Sequence, residues 1–131
     1  MSGRFLLDTN IVIDVLNGNE IVIEKLSKAE EIYICDIVIG ELLYGAYGSR
    51  KKEANIRKIE DLICSSSSVD FDVQTARQYG ILKSELKKQG TPIPDNDIWI
   101  AALALQYDLT ILTRDRHFSN IPNGVIELID V

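Results

Sequence analysis

The chain has no apolar run long enough to span a bilayer. The short apolar segment after Met1-Ser2-Gly3-Arg4 ends at Asp8, too short for the core of a signal peptide, and no small-residue cleavage site follows it. A cytoplasmic protein without a membrane anchor is therefore expected. Cysteine is scarce: Cys35 and Cys64 lack metal-ligand spacing and form no disulfide framework, so two reduced thiols are expected. Histidine is scarcer still. His117 stands alone, so an acid–base pair built on histidine has a single possible centre, and the residue reads as a solvated loop histidine. There is no glycine-rich phosphate loop of the Walker type, no internal repeat and no linker. The serine run at 65–68 is too short to separate domains. Basic residues are the minority, 14 against 20 acidic for a net charge of −6, which argues against coating nucleic acid by bulk electrostatics. That deficit does not exclude a nuclease, because acids gathered at a metal site are offset by bound cations.

What is present is enough for a core. With 131 residues, 46% of them hydrophobic, the chain fits one domain spanning 1–131. Short β-type runs at Arg4–Leu7, Ile32–Cys35, Val69–Phe71, Thr110–Leu112 and Val125–Ile129 alternate with longer helical patterns. That alternation implies parallel βαβ units and an α/β class. Capping residues mark the helices. Asn10 can open one that stops at Gly18, Asn19 the next, and Asp36 a third through Leu43. Ser49 precedes a charged helix with Ile56, Ile59 and Ile63 on one face. Asp72 can cap a long helix ended by Gly90. Pro92 and Pro94 enforce a loop, after which Asp95 or Asn96 caps Ile98–Tyr107. This last helix is apolar almost all round and should be buried.

Four acids occupy places a folded core does not ask for. Asp8 ends the first strand. Glu41 lies among Ile39, Leu42 and Leu43 in the helix after the second strand. Asp97 opens the buried helix, and Asp115 follows the fourth strand. On a parallel sheet all four can meet at the edge where ligands bind in open α/β folds. Carboxylates roughly 5 Å apart at an effective dielectric of about 20 repel by about 3 kcal/mol per pair. Hard divalent cations relieve that repulsion, prefer oxygen ligands, and supply what phosphodiester hydrolysis needs. Each acid also has a plain structural reading: Asp8 as a turn or cap, Glu41 as a surface helix residue, Asp97 as a first-turn acid favoured by the helix dipole, and Asp115 as a turn residue. The basic run Arg50-Lys51-Lys52, with Arg57 and Lys58, reads as a solvated helix face, with contact to RNA phosphates as the alternative.

The segments Leu7-Asp8-Thr9-Asn10, Ile39-Gly40-Glu41-Leu42-Leu43-Tyr44-Gly45, Pro94-Asp95-Asn96-Asp97-Ile98-Trp99-Ile100-Ala101-Ala102 and Leu112-Thr113-Arg114-Asp115 resemble, in order and spacing, the PIN domain, in particular the VapC-type toxins of toxin–antitoxin pairs. The resemblance runs nearly end to end. It implies a three-layer fold with a five-stranded parallel sheet in the order 3-2-1-4-5 and helices on both faces. It implies an endoribonuclease dependent on Mg²⁺, with Mn²⁺ able to substitute, that forms a homodimer and is inhibited by a small antitoxin protein. The family's acids fall on Asp8, Glu41, Asp97 and Asp115, with Asp8 and Asp97 as metal ligands. Thr9 and Thr113 would supply supporting hydroxyls. Asp95 lies close to Asp97, but Asp97 directly precedes the Ile-x-Ile-Ala-Ala run and takes the role.

Three other readings stand beside this one. A phosphotransfer domain of haloacid-dehalogenase type also begins with an acid after the first strand, but it wants a second acid two residues on, where this chain has Asn10. A non-catalytic PIN-like interaction module would have lost at least one of the acids. A PIN nuclease of RNA processing would act outside any toxin–antitoxin pair. Homodimerisation has an argument of its own: Ile56, Ile59, Ile63, Tyr79 and Leu82 offer more apolar surface than so small a domain is expected to bury alone.

Overall fold

Strand β1 (Arg4–Leu7) lies at the centre of the sheet in a computed structural model that describes residues 3–121 and 126–129. It pairs in parallel with β2 (Glu31–Tyr33) on one side and β3 (Thr110–Thr113) on the other. Strand β4 (Ile126–Leu128) pairs in parallel with β3, giving the order β2-β1-β3-β4. Phe5, Leu6 and Leu7 are consecutive and all buried, as are Ile111, Leu112 and Thr113. Successive strand residues point to opposite faces, so both faces of the central strands are covered.

Helices supply that cover: α1 (Thr9–Leu16), α2 (Glu20–Ser27), α3 (Asp36–Tyr47), α4 (Lys52–Ser65), α5 (Val73–Gln89) and α6 (Asp95–Tyr107). In α6, Ile98 and the run Ile100–Ala104 are buried, as its all-round apolar pattern predicts. Among the described residues, no helix is long and apolar enough to cross a membrane. Both cysteines are free, Cys35 buried and Cys64 exposed. Burial pushes the Cys35 thiol up to about 11, so it stays protonated at neutral pH.

The sheet has four strands among the described residues, where five were expected. The expected strand Val69–Phe71 is replaced by a single parallel bridge between Tyr33 and Ser67, at the outer edge of β2. The amide of Ser67 donates to Ile32 and that of Ile34 donates to Ser67, and there the ladder stops. Serines offer no branched or aromatic face to a pleated surface. Phe71 instead packs edge-on against Trp99, and Asp72 closes a capping box with Thr75 at the start of α5. The last strand begins at Ile126; Val125 lies outside the described residues.

Several helices open earlier or later than the caps implied. Asp8, not Asn10, caps α1, because the residue leaving β1 is still extended and its carboxylate turns back onto the amide of Thr9. Cys35 occupies the cap position of α3 and Pro94 that of α6, leaving Asp36, Asp95 and Asp97 as first-turn acids. Helix α4 starts at Lys52 rather than directly after Ser49. Asn19, Asp72 and Gly90 act as expected, with Gly90 at φ 73° in the left-handed region that a residue without a Cβ adopts freely.

The apolar surface invoked for a dimer is largely internal. Ile59 and Leu82 are fully buried, and Ile56, Ile63 and Tyr79 are partly buried and packed on the core. The long helices use that face to close their own domain, so it gives no support to a second copy.

Candidate metal centre

The chain leaves β1 toward β2 on one side and returns through β3 on the other, so the strand order reverses between β1 and β3. Their carboxyl ends form the crevice in which open α/β sheets bind ligands. Asp8 stands at the end of β1, its amide donating to Leu112 at 3.0 Å and so extending the ladder to β3. Its side chain is buried and accepts bonds on both oxygens: Oδ1 from the Thr9 amide at 2.9 Å, and Oδ2 from Thr113 Oγ1 at 2.7 Å and Asn10 Nδ2 at 3.1 Å. Burial raises its pKa, the Thr113 and Thr9 bonds hold it down, and the charges of Asp115 and Glu41 raise it again.

Thr113 is also fully buried and accepts the Asp115 amide at 2.9 Å, so one hydroxyl ties Asp8 to the loop after β3. Asn10 makes a second tie, accepting the Arg114 amide at 3.1 Å. Beyond it Asp115 caps a short 3₁₀ turn (Arg116–Asn120), accepting the His117 amide at 2.9 Å and lying 3.2 Å from the imidazole Nδ1. Phe118 in that turn is completely buried and pins it to the core.

Glu41 comes from the second turn of α3. Its Oε1 accepts the Thr9 hydroxyl and its Oε2 accepts Asn96 Nδ2 at 3.4 Å. Asp97 lies in the first turn of α6 and is half-buried. Its pKa is pushed up to about 7, first by burial and then by the charges of Asp8, Asp115 and Glu41, with His117 pulling the other way. Asp97, Asp115 and His117 each offer one ligand atom within 4.8 Å of the others.

All four acids singled out in the sequence thus converge from four separate segments. The residues 5–124 match the model of the family described as the PIN domain. The chain belongs to the PIN-domain family. It is 34% identical over 128 residues to a ribonuclease VapC2 of Rickettsia felis, covering 94% of this chain and 96% of that protein. It is 34% identical over 127 residues to a tRNA(fMet)-specific endonuclease VapC of Salmonella typhimurium, covering 95% and 96%. The fold matches a crystal structure of VapBC2 from Rickettsia felis bound to a DNA fragment from their promoter, with a TM-score of 0.86 over 96% of this chain and 98% of that one.

Within this PIN domain, sequence reasoning missed three site residues. His117 read as a solvated loop histidine; it is exposed, but it faces Asp115 and Asp97. Asn10 read as a helix cap and instead bridges Asp8 to Arg114. Asn96 read as an alternative cap and instead holds Glu41. One signal was available for His117: it lies two residues past an acid in the loop leaving a strand, where a short turn brings side chains at that spacing together. The amides gave none, because the partners that set their roles across the site lie 104 and 55 positions away, Arg114 for Asn10 and Glu41 for Asn96.

Proposed function

We propose that this chain is a divalent-metal-dependent endoribonuclease, the toxin of a type II toxin–antitoxin pair, acting in the cytoplasm as one domain over 1–131 and restrained by a small antitoxin protein. The supporting observation is the convergence of Asp8, Glu41, Asp97 and Asp115 at the switch point of the sheet, in a chain whose relatives are ribonucleases of VapC type. The homodimer remains part of the proposal through the family resemblance alone.

The donor set fits a hard cation: carboxylate oxygens from Asp8, Asp97 and Asp115, with one imidazole beside them. Mg²⁺ is the ion proposed, and His117 adds a nitrogen that suits Mn²⁺. A bound ion would lower the pKa of water for attack on the phosphodiester and stabilise the leaving oxygen. The protein does the rest by positioning. Thr113 and Asn10 fix the Asp8 carboxylate, and both its oxygens already accept donors, so its orientation is set before anything binds. Thr9 and Asn96 hold Glu41 at the solvent rim, where its carboxylate can take a proton from the attacking water. As a ligand Asp97 would be held in its deprotonated form, so binding of a cation there would be coupled to proton release near neutral pH.

The test is RNA cleavage by purified chain, freed of any antitoxin, in EDTA and then with Mg²⁺ or Mn²⁺ restored. Cleavage stops with chelation and returns with either ion. Undiminished cleavage by metal-free protein overturns the reading. A small antitoxin gene adjoining this one, whose product blocks cleavage, separates a toxin from a nuclease of RNA maturation.

A further inference from the structure

Helix α3 has two faces with different fates. Val38, Leu42 and Ala46 are buried in the core. Ile37, Glu41 and Tyr44, spaced four and three apart, form a stripe on the outward side. Tyr44 is 85% exposed, the most exposed large hydrophobic side chain among the described residues. Among the described residues its ring makes no stacking or cation contact, whereas Tyr47 one turn later has Lys52 over its face.

Beside Tyr44 lies an open hollow of about 580 Å³, within the size range of ligand sites. Thr9, Glu41 and Asn96 line it and also belong to the acid cluster, so the hollow and the cluster are continuous. Asp36 and Ile37 complete the wall with Tyr44. Gly40 forms part of the floor, and a Cβ there would meet nothing within 4 Å.

We infer that this hollow is a base-binding subsite beside the cleavage position, in which Tyr44 stacks on one unpaired nucleobase of the RNA and Asp36 accepts a hydrogen bond from that base's edge. The inference rests on the ribonuclease reading for its ligand class. Its occupant follows from chemistry on the wall. Asp36 and Glu41 repel phosphate, so the part of an RNA strand that enters is a base and not the backbone. An exposed aromatic ring with both faces open offers what single-stranded recognition uses, a stacking platform. A carboxylate only accepts, so it selects a base edge that presents amino donors: guanine, adenine or cytosine ahead of uracil, whose lone N–H is flanked by carbonyls. The continuity through Glu41 places that base next to the scissile phosphate.

The test uses single-stranded octaribonucleotides carrying 2-aminopurine at each position in turn, bound in Ca²⁺ to the full chain without antitoxin. Wild type quenches the probe at one preferred position. Tyr44→Ala loses that quenching and weakens binding roughly tenfold, the size of one base-stacking contact. Tyr44→Phe retains both, and Tyr47→Ala behaves as wild type. Gly40→Leu is a second, independent block: leucine favours the helix over glycine, so the protein keeps its fold while the side chain fills the hollow. In Mg²⁺, Tyr44→Ala raises KM more than it lowers kcat, and an abasic nucleotide at the preferred position removes the difference from wild type. Asp36→Asn narrows the gap between amino-bearing bases and uracil. Equal quenching and affinity in Tyr44→Ala and Gly40→Leu overturns the subsite, as does a Tyr44→Ala protein whose only change is loss of a dimer. A wild type that binds and quenches but never cleaves sinks the nuclease reading and leaves the subsite standing.

Discussion

Asp95 and Asp97 are two residues apart in the first turn of one helix, yet their surroundings treat charge in opposite ways. Asp95 is exposed, accepts the Tyr79 hydroxyl at 3.0 Å and pairs with Lys83 at 3.0 Å. The Lys83 and Tyr79 bonds hold its carboxyl below the usual range. Asp97 has turned about 200° around the helix and faces three other acids from a half-buried position. Among the described residues no donor is hydrogen-bonded to it, and its pKa rises to about 7. Both acids gain from the helix dipole, so the dipole does not explain the difference. The neighbours do. An acid neutralised by its own protein is finished; one that is surrounded by like charge leaves room for a cation from outside.

The strongest way to break this comparison is to remove the two charges in turn. Asp97→Asn should lower metal-dependent RNA cleavage by at least about a hundredfold, since even residues that merely support metal ligands cost 10- to 100-fold. In EDTA at low salt the same protein should be more stable than wild type by about 1–3 kcal/mol, because one like charge has left the cluster. Thermal melting beside a cleavage assay reads both. A variant that cleaves normally removes Asp97 from the centre.

A smaller effect is expected at Thr113, which belongs to neither acid and organises the cluster from below. Thr113→Val keeps the shape but removes the hydroxyl that serves both Asp8 and Asp115, leaving a buried carboxylate short of a donor. A loss of about 1–3 kcal/mol in chemical denaturation is expected, together with weaker metal binding. Unchanged stability would show that Asn10 and Thr9 suffice to hold Asp8.

The pH dependence sharpens the contrast further. Asp97 has a higher pKa folded than unfolded, so between about pH 4 and its folded value the native state holds a proton that the unfolded state has released. Stability of the cation-free protein from this group therefore falls as pH rises through that window and levels off above about 7. Melting curves in EDTA should show a midpoint that drops from pH 5 to pH 7, and Asp97→Asn should flatten the slope. Asp95, with its pKa lowered, works in the opposite direction and at lower pH: its contribution is present at neutral pH and is lost on acidification. The least effect belongs to Asp95→Asn at neutral pH, which should leave cleavage and melting close to wild type because its ion pair is exposed to solvent. A large loss of cleavage in that variant would mean the two acids share one function.

Asp8, Glu41 and Asp97 were legible because apolar residues flank or follow them, and because topology carries strand ends to one edge; Asp115 stood out only by following the fourth strand, in a polar turn that needs no function. Asp8, Glu41, Asp97 and Asp115 could be found in these ways; the residues that orient them could not. Thr113, Asn10 and Asn96 are polar residues in polar places, and only the packed sheet shows that they meet a carboxylate. Thr113 was reached through family resemblance rather than from its own surroundings. The third strand failed for a related reason. Val69–Phe71 has strand-like residues, but Phe71 finds Trp99 and Asp72 finds the α5 amides, and those partners outcompete one more ladder. The apolar stripe on α4 and α5 was read correctly as a stripe and wrongly as surface, because sequence periodicity tells that a face is apolar without telling what covers it.

Trp99, the single tryptophan of the chain, lies two residues beyond Asp97 and stacks on Tyr79 with ring centroids 4.1 Å apart and planes 14° apart. Excited at the red edge of its absorption, the protein therefore emits from one turn of one helix. Unlabelled material carries a built-in optical probe of the packing of α5 on α6 along the Asp95 side of the helix, and melting followed in a cuvette reads that contact directly.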